Sequence, residues 1–310
     1  MANITLRQLR YFDALAQHGH FGRAADACAV SQPALSVQIK ELEETLGSVL
    51  FERMPRQIRL TTLGREFLKR AQEILRQVDE LGDISRAAQG QWIGQLRMGI
   101  IPTIAPYLLP RIVDRLSREF TGMDIHVRET MTSTLLTELA EGRIDTAILA
   151  LPISEPGLTE VALFKENFVL IRPEADSNKP VPNRDMLKEM RLLLLEEGHC
   201  FRDQALSFCN IQSSQPRETL DGTSLSTLVQ MVGAGMGVTL IPEMAVPVET
   251  RSATVSVAHF HDPQPSRTVG MLWRATSPLA DQYVKIAKIV RQAAEAERNA
   301  HNPDASVSVL

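Results

Sequence analysis

The sequence predicts an α/β protein in three parts: a small helical head, one long helix, and a larger two-lobed α/β body. Three observations carry that reading. Apolar residues recur at helical spacing through the first fifty residues, broken by turn signals. A polar, proline-free stretch follows from Thr62 to Gln89. Beyond it strands and helices alternate, which implies βαβ crossovers and a parallel sheet.

At 310 residues the chain exceeds one small core, so two or three domains are expected. Its 44% hydrophobic and 23% charged content is that of a soluble globular protein. The opening "MANITLRQLRYFDALAQ" has no signal-peptide apolar run, and no stretch approaches a membrane span. A cytoplasmic location without membrane contact is expected, and three cysteines suit that reducing compartment. A net charge of −4 argues against a uniformly basic nucleic-acid binder. Between Leu50 and Arg76, however, seven basic residues (Arg53, Arg56, Arg59, Arg65, Lys69, Arg70, Arg76) face only Glu52, Glu66 and Glu73. That local excess can meet phosphates while the rest of the molecule stays acidic.

In the head, Leu6, Leu9, Phe12 and Leu15 mark a first helix, ended by Gly19. "FGRAADACAV" makes a short second helix packed by Ala24, Ala25 and Cys28. In "VSQPALSVQIKELEETLG", Ser31 is an N-cap, Pro33 lies in the first turn, and Gly47 stops the helix. Leu35, Ile39, Leu42 and Leu46 form its buried stripe. This is a helix-turn-helix, whose second helix enters the major groove. Ser31, Gln32, Pro33, Ala34, Ser36, Gln38 and Lys40 are its candidate DNA contacts. After it, "LFERMPRQIRLTTLG" reads as a two-stranded wing around Pro55, placing Arg53, Arg56 and Arg59 on backbone phosphate.

"FGRAADACAVSQPALSVQIKELEETLGSVLFER" followed by "RLTTLGREFL" resembles the head of the LysR-type transcriptional regulators. The resemblance implies a winged helix-turn-helix with Ser31 to Thr45 as recognition helix, and a two-lobed periplasmic-binding-protein-like regulatory domain. The expected boundaries are 1–61 for the head, 62–91 for the linker helix, 92–298 for the regulatory domain and 299–310 for a loose tail.

Leu68, Ala71, Leu75 and Val78 in the long helix step by three and four, which predicts a coiled-coil seam and a homodimer on a partly palindromic duplex operator. In the body, "LRMGIIP", "DIHVRE", "DTAILAL", "LLLLEE" and "GVTLIP" are expected strands. Two crossovers, near Phe164–Arg172 and Arg267–Arg274, are expected to join two lobes around a ligand cleft. "VGAGMGV" mimics a nucleotide fingerprint, but its glycines end a helix and lead into a strand, the reverse of the order phosphate binding needs. His259 and His261 lack further ligands at metal spacing, so neither metal nor cofactor is expected.

Two of the three cysteines stand in "EEGHCFRDQALSFC". As residues, they read first as small buried hydrophobes. Cys200 differs from Cys209 in standing beside His199 and Arg202 at a helix start, where a thiolate is favoured, whereas Cys209 closes an apolar run. "GHCFRDQALSFC", "GIIPTIAPYLLP" and "RTVGMLWRATSPL" resemble the hydrogen-peroxide sensors within the LysR family. That resemblance implies Cys200 as the peroxide-reactive thiol and Cys209 as the resolving one, with Cys28 structural. It implies a pocket of Thr103, Thr132, His199, Arg202, Asp203 and Arg267, reduction by thioredoxin or glutaredoxin, a dimer of dimers, and RNA polymerase contact through surface residues Asp145 and Arg274. Were residues 201–209 helical, the cysteine Cα atoms would stand roughly 13 Å apart. A disulfide needs about 4.4–6.8 Å, so the segment must unwind first. The loops "ISEPGLTE" and "NIQSSQPRETLDG" depart from the resemblance without touching these residues.

Three other readings compete. A LysR-type regulator sensing an organic metabolite would use the cysteines only for packing. A thiol peroxidase would share the redox chemistry, and the DNA-binding head argues against it, so no enzyme is expected. A solute-binding protein would share the two lobes but require export.

Overall fold

A computed structural model describes residues 4–54, 57–88, 94–209 and 221–301. The chain divides into two compact units, residues 1–89 and 90–310.

In the first unit, α1 (Leu6–His18) starts at a capping box of Thr5 with Gln8 and stops at Gly19, whose φ of 60° is left-handed. Helix α2 (Phe21–Ala27) leads into α3 (Gln32–Leu46), which Ser31 caps through the Ala34 N–H and Gly47 ends at φ 64°. Leu9, Phe12, Leu15, Ala24, Ala25, Leu35, Ile39 and Leu42 form one buried core. Strands β1 (Phe51–Met54) and β2 (Gln57–Leu60) pair antiparallel as the wing. The Glu43 carboxylate accepts the N–H groups of Leu50 and Phe51, so α3 is bonded directly to the wing. This is the physical content of the "LE..LG..LF" spacing. Pro55 and Arg56 lie outside the described residues.

Helix α4 (Thr62–Ala88) corrects the expected seam. Ala71 is buried in the head core, with Leu68 and Leu75 packed against it and Gln72 donating to Asp13 of α1. The N-terminal half of the helix therefore finds its apolar partner in its own domain. Among the described residues of α4, the large apolar side chains left to solvent are Leu63, Ile74, Leu81 and Ile84, of which Leu81 is 65% exposed. At its start, Thr61 receives the Gly64 N–H. A Cβ on Gly64 would stand 2.2 Å from the Leu50 carbonyl oxygen, so only glycine lets α4 cross the wing here.

The second unit runs β3 (Gln95–Ile100), α5 (Ala105–Glu119), β4 (Asp124–Glu129), α6 (Thr132–Ala140), β5 (Thr146–Leu151) and β6 (Leu158–Pro173). It continues with α7 (Arg184–Glu189), β7 (Leu194–Leu195), α8 (Cys200–Phe208), β8 (Asp221–Gly222) and α9 (Leu225–Gly233). Strand β9 (Thr239–Pro242), α10 (Val246–Glu249), β10 (Val255–His259), β11 (Ser266–Arg274) and α11 (Ala280–His301) complete it. The sheet order is β10-β6-β11-β5-β3-β4, with β9 also on β6.

The sheet is mixed rather than parallel. Strand β3 pairs parallel with β4 and β5, whereas β11 pairs antiparallel with β5 and β6, and β6 antiparallel with β9 and β10. The reason is the 16-residue strand β6. Its first half lies beside β11 and its second half beside β9 and β10, so one strand passes from the first lobe into the second. The apolar run "LLLLEE" is a strand only at Leu194–Leu195. Gly235, at φ 77°, follows the end of α9. A Cβ on Gly237 would stand 2.3 Å from the Arg191 carbonyl oxygen, so these glycines shape a turn. Helix α11 carries through His301, past the expected start of a tail at 299; residues 302–310 lie outside the described residues.

Replacing Gly64 with alanine is expected to destabilise the head by about 1–3 kcal/mol, the usual cost of overpacking. Urea denaturation followed by far-ultraviolet circular dichroism checks it, against Gly94→Ala, where an added Cβ meets nothing within 4 Å.

Candidate functional site

Helix α8 places both thiols. Cys200 is its first residue, half-buried, and Cys209 its C-cap, fully buried in the second-lobe core with Phe168, Phe201 and Leu206. Nine rises of about 1.5 Å put the two Cα atoms roughly 13 Å apart. Aromatic contacts pin both ends of the helix. Phe201 meets Phe168 with ring centroids 4.8 Å apart, and Phe208 meets Phe260 at 5.2 Å. His199 is the N-cap but makes no side-chain capping bond, so its ring does not occupy the helix N-terminus beside the Cys200 thiol.

His199 lines a cavity of about 360 Å³ together with Thr103, Tyr107, Glu129, Glu196 and Glu249. Two buried polar bridges close this cleft. In one, the Tyr107 hydroxyl donates to Glu249 Oε1 at 2.6 Å, and Ser226 donates to the other carboxylate oxygen at 2.5 Å. Burial, and then the bond to Glu249, pushes the Tyr107 phenol far up, so it stays a donor. In the other, Arg267 Nε donates to Glu166 at 2.7 Å, Nη1 to the Thr103 hydroxyl at 2.8 Å and Nη2 to the Thr103 carbonyl at 3.0 Å. The Arg267 guanidinium also lies 5.6 Å from the centroid of the Phe201 ring, next in sequence to Cys200. Burial pushes the Glu166 carboxyl up, and the Arg267 charge opposes it.

Other expected pocket residues fall into different environments. Burial pulls the His199 imidazole below its ordinary value, with Glu196 opposing, so His199 is a neutral ring at neutral pH rather than a cation. Arg202 turns back to donate to the Leu195 carbonyl at 2.7 Å. Asp203 is exposed on the first turn of α8. The Thr132 hydroxyl, on the first residue of α6, is buried with no hydrogen-bond partner among the described residues. Its neighbour Met131, rather than Thr132 itself, faces the cavity. Cys28 is the C-cap of α2, its thiol pushed up by burial and by Asp13.

Asp145 and Arg274 are not surface residues. Asp145 accepts the Arg97 N–H and side chain at 2.8 and 2.7 Å, tying β3 to β5. Arg274 donates to the Leu139 and Ile144 carbonyls, closing the open end of α6. Both are held by internal bonds and are 7% and 9% exposed.

In the head, Ser31, Gln32, Pro33, Ala34 and Lys40 are exposed on α3, while Ser36 and Gln38 are half-buried. Gln38 bonds Glu41, and Lys40 pairs with Glu44 at 3.4 Å. Arg59 is exposed on β2; the side chain of Arg53 and all of Arg56 lie outside the described residues. Sequence reasoning missed Val37, which is 52% exposed on α3. An apolar residue at that height can meet a thymine methyl group. It also missed Tyr107, Glu166, Ser226 and Glu249, whose partners lie 23 to 142 positions away and leave no local signal. Among the described residues no helix is long and apolar enough to cross a membrane, and no His/Cys/Asp/Glu group could hold a metal.

Residues 6–65 match the bacterial regulatory helix-turn-helix protein model of the lysR family, and residues 89–295 match the LysR substrate binding domain. The chain belongs to the LysR family of transcriptional regulators. The LysR assignment makes it a DNA-binding regulator rather than an enzyme. It is 42% identical over 294 residues to a probable hydrogen peroxide-inducible genes activator of Streptomyces viridosporus, covering 93% of this chain and 94% of that one. It is 40% identical over 291 residues to the DNA-binding transcriptional dual regulator OxyR of Escherichia coli strain K12, covering 93% and 95%. A solved full-length OxyR of Pseudomonas aeruginosa, carrying a cysteine-to-aspartate substitution, is similar with a TM-score of 0.75 at 37% identity, covering 93% of this chain and 95% of that one.

Burial of the His199 imidazole makes stability depend on pH. The unfolded chain binds the His199 proton at higher pH than the folded chain does, so stability declines as pH falls below about 6.5. The His199→Gln variant is expected to lose that part of the decline. Urea midpoints at pH 7.5 and 5.5 for both proteins check it.

Proposed function

We propose that this LysR-family regulator senses hydrogen peroxide through Cys200 and switches by a reversible Cys200–Cys209 disulfide. The Cys200 thiolate attacks one peroxide oxygen and the O–O bond breaks. Cys200 becomes a sulfenic acid, and the departing hydroxide takes a proton to form water. The Cys209 thiol then attacks the sulfenic sulfur, forming the disulfide and expelling a second water. Two thiols are oxidised by two electrons, and one peroxide is reduced to two waters. Thioredoxin or glutaredoxin returns both electrons.

One observation carries this reading: the two thiols stand at opposite ends of one nine-residue helix. At roughly 13 Å the bond cannot close by rotamer changes, so forming it requires α8 to come apart. A loop of this size contributes on the order of 2–3 kcal/mol once closed, enough to hold a second conformation. The similarity to peroxide-inducible activators and to OxyR supports the same reading. The heads dock α3 in the major groove of a duplex operator, with Arg53, Arg56 and Arg59 on phosphates. Pairing of chains uses the exposed stripe Ile74, Leu81 and Ile84 of α4, and two such dimers form the tetramer. RNA polymerase is the further macromolecular partner of this reading.

Non-reducing peptide mass spectrometry, before and after one equivalent of hydrogen peroxide, tests the switch. A Cys200–Cys209 linked peptide is expected within seconds and should vanish with thioredoxin. Cys209→Ser should stop at a sulfenic acid trapped by dimedone, and Cys200→Ser should stay unmodified. If both thiols of the wild type remain free, the ligand is an organic metabolite in the 360 Å³ cavity instead.

A further inference from the structure

Thr103 sits on the loop after β3, 3% exposed, and lines the same cavity as His199, the residue before Cys200. An arginine guanidinium only donates hydrogen bonds. The Thr103 oxygen must therefore accept from Arg267 Nη1, which leaves its single proton to be donated elsewhere. Among the described residues no acceptor takes that proton. The hydroxyl is thus held as a donor, and what holds it is the orientation of Arg267.

That orientation depends on Glu166. The two residues lie directly opposite each other on β11 and β6, the strands that join the lobes. The Arg267 side chain is 0% exposed, so water cannot steady it. One Glu166 oxygen accepts Arg267 Nε at 2.7 Å, and the other accepts the Met244 N–H at 3.2 Å. The carboxylate is therefore fixed from the second lobe while it aims the guanidinium at Thr103 of the first. The same guanidinium lies over Phe201 at the start of α8.

We propose that Glu166 is the positioning residue of the reduced switch: through Arg267 it keeps the Thr103 hydroxyl aimed as a donor at the departing peroxide oxygen. This assignment rests on the peroxide reading above. When the Cys200 thiolate attacks, negative charge grows on that oxygen as the O–O bond breaks, and a preset donor stabilises it. An alkylating agent such as iodoacetamide consumes the same thiolate but expels iodide, which needs no such donor. Glu166 therefore acts on one reagent and not on the other.

The test measures second-order rates of Cys200 in the reduced full-length protein with hydrogen peroxide and, separately, with iodoacetamide. Glu166→Gln is expected to slow the peroxide reaction about tenfold or more, less than the roughly 100-fold or greater cost of removing a preset donor because the Thr103 hydroxyl is misaimed rather than lost. Its iodoacetamide rate should stay within about twofold of wild type on that same account. Thr103→Val should slow peroxide at least as much, and the double variant should be no slower than the slower single one, because both act along one path. A Glu166→Gln protein that reacts with peroxide at the wild-type rate overturns the assignment. So does one slowed equally toward both reagents, since that reports a lost thiolate or a disturbed fold. If Glu166→Gln fails to fold, Glu166→Asp, which keeps the charge but retracts it by one methylene, is held to the same two readouts. A wild-type Cys200 no more reactive toward peroxide than an unfolded peptide thiol removes the peroxide reading and this assignment together.

Discussion

The constraint on which the rest of the structure depends is the length of α8. The nine steps from Cys200 to Cys209 make two and a half turns, and a helix is too stiff for its ends to meet. Reduced and disulfide-bonded forms therefore cannot share one backbone. The helix is held by Phe201 and Leu206 in the second-lobe core and by the Phe208–Phe260 contact. Each fully buried side chain of this size is worth about 1.5–3 kcal/mol. The disulfide offers on the order of 2–3 kcal/mol. Phe201 and Leu206 together therefore outweigh the proposed disulfide, so the proposed switch requires part of that burial to be regained in the oxidised form.

The same helix is wired to the cleft. Its N-cap, His199, faces the cavity, and Phe201 lies under the Arg267 guanidinium. Arg267 and Glu166 sit on the strands that run between lobes, and Tyr107 reaches from the first lobe to Glu249 of the second. Loss of α8 would release Phe201 from beneath Arg267 and so loosen the bridge that joins Thr103 to Glu166. The cavity and the helix that carries both thiols thus meet at one place, the seam between lobes.

Much of the fold was legible because it is written in local chemistry. Ser31, Pro33 and Gly47 bound α3 through their own backbone preferences, and Gly19 does the same for α1. The asymmetry of the cysteines was legible too, since helix start and apolar run are sequence features. What could not be read depends on distant pairing. The stripe Leu68, Ala71 and Leu75 has helical spacing whether it meets a second chain or the head core, and only packing against α1 decides for the head. Strands β5 and β11 look alike in hydrophobicity, so antiparallel pairing is invisible without the path of β6. Asp145 and Arg274 read as surface charges because their partners are a strand amide and two helix-end carbonyls. Glu166 lies 101 positions from Arg267, in a stretch with no motif.

Amide hydrogen exchange across α8 in the reduced and peroxide-oxidised full-length protein tests the central claim most directly. The account predicts that the amides of residues 204–209 are protected in the reduced form, through bonds such as Cys209 N–H to the Ala205 carbonyl, and exchange freely once the disulfide has formed. Equal protection of α8 in both forms, with the Cys200–Cys209 bond verified in the same sample, would contradict it.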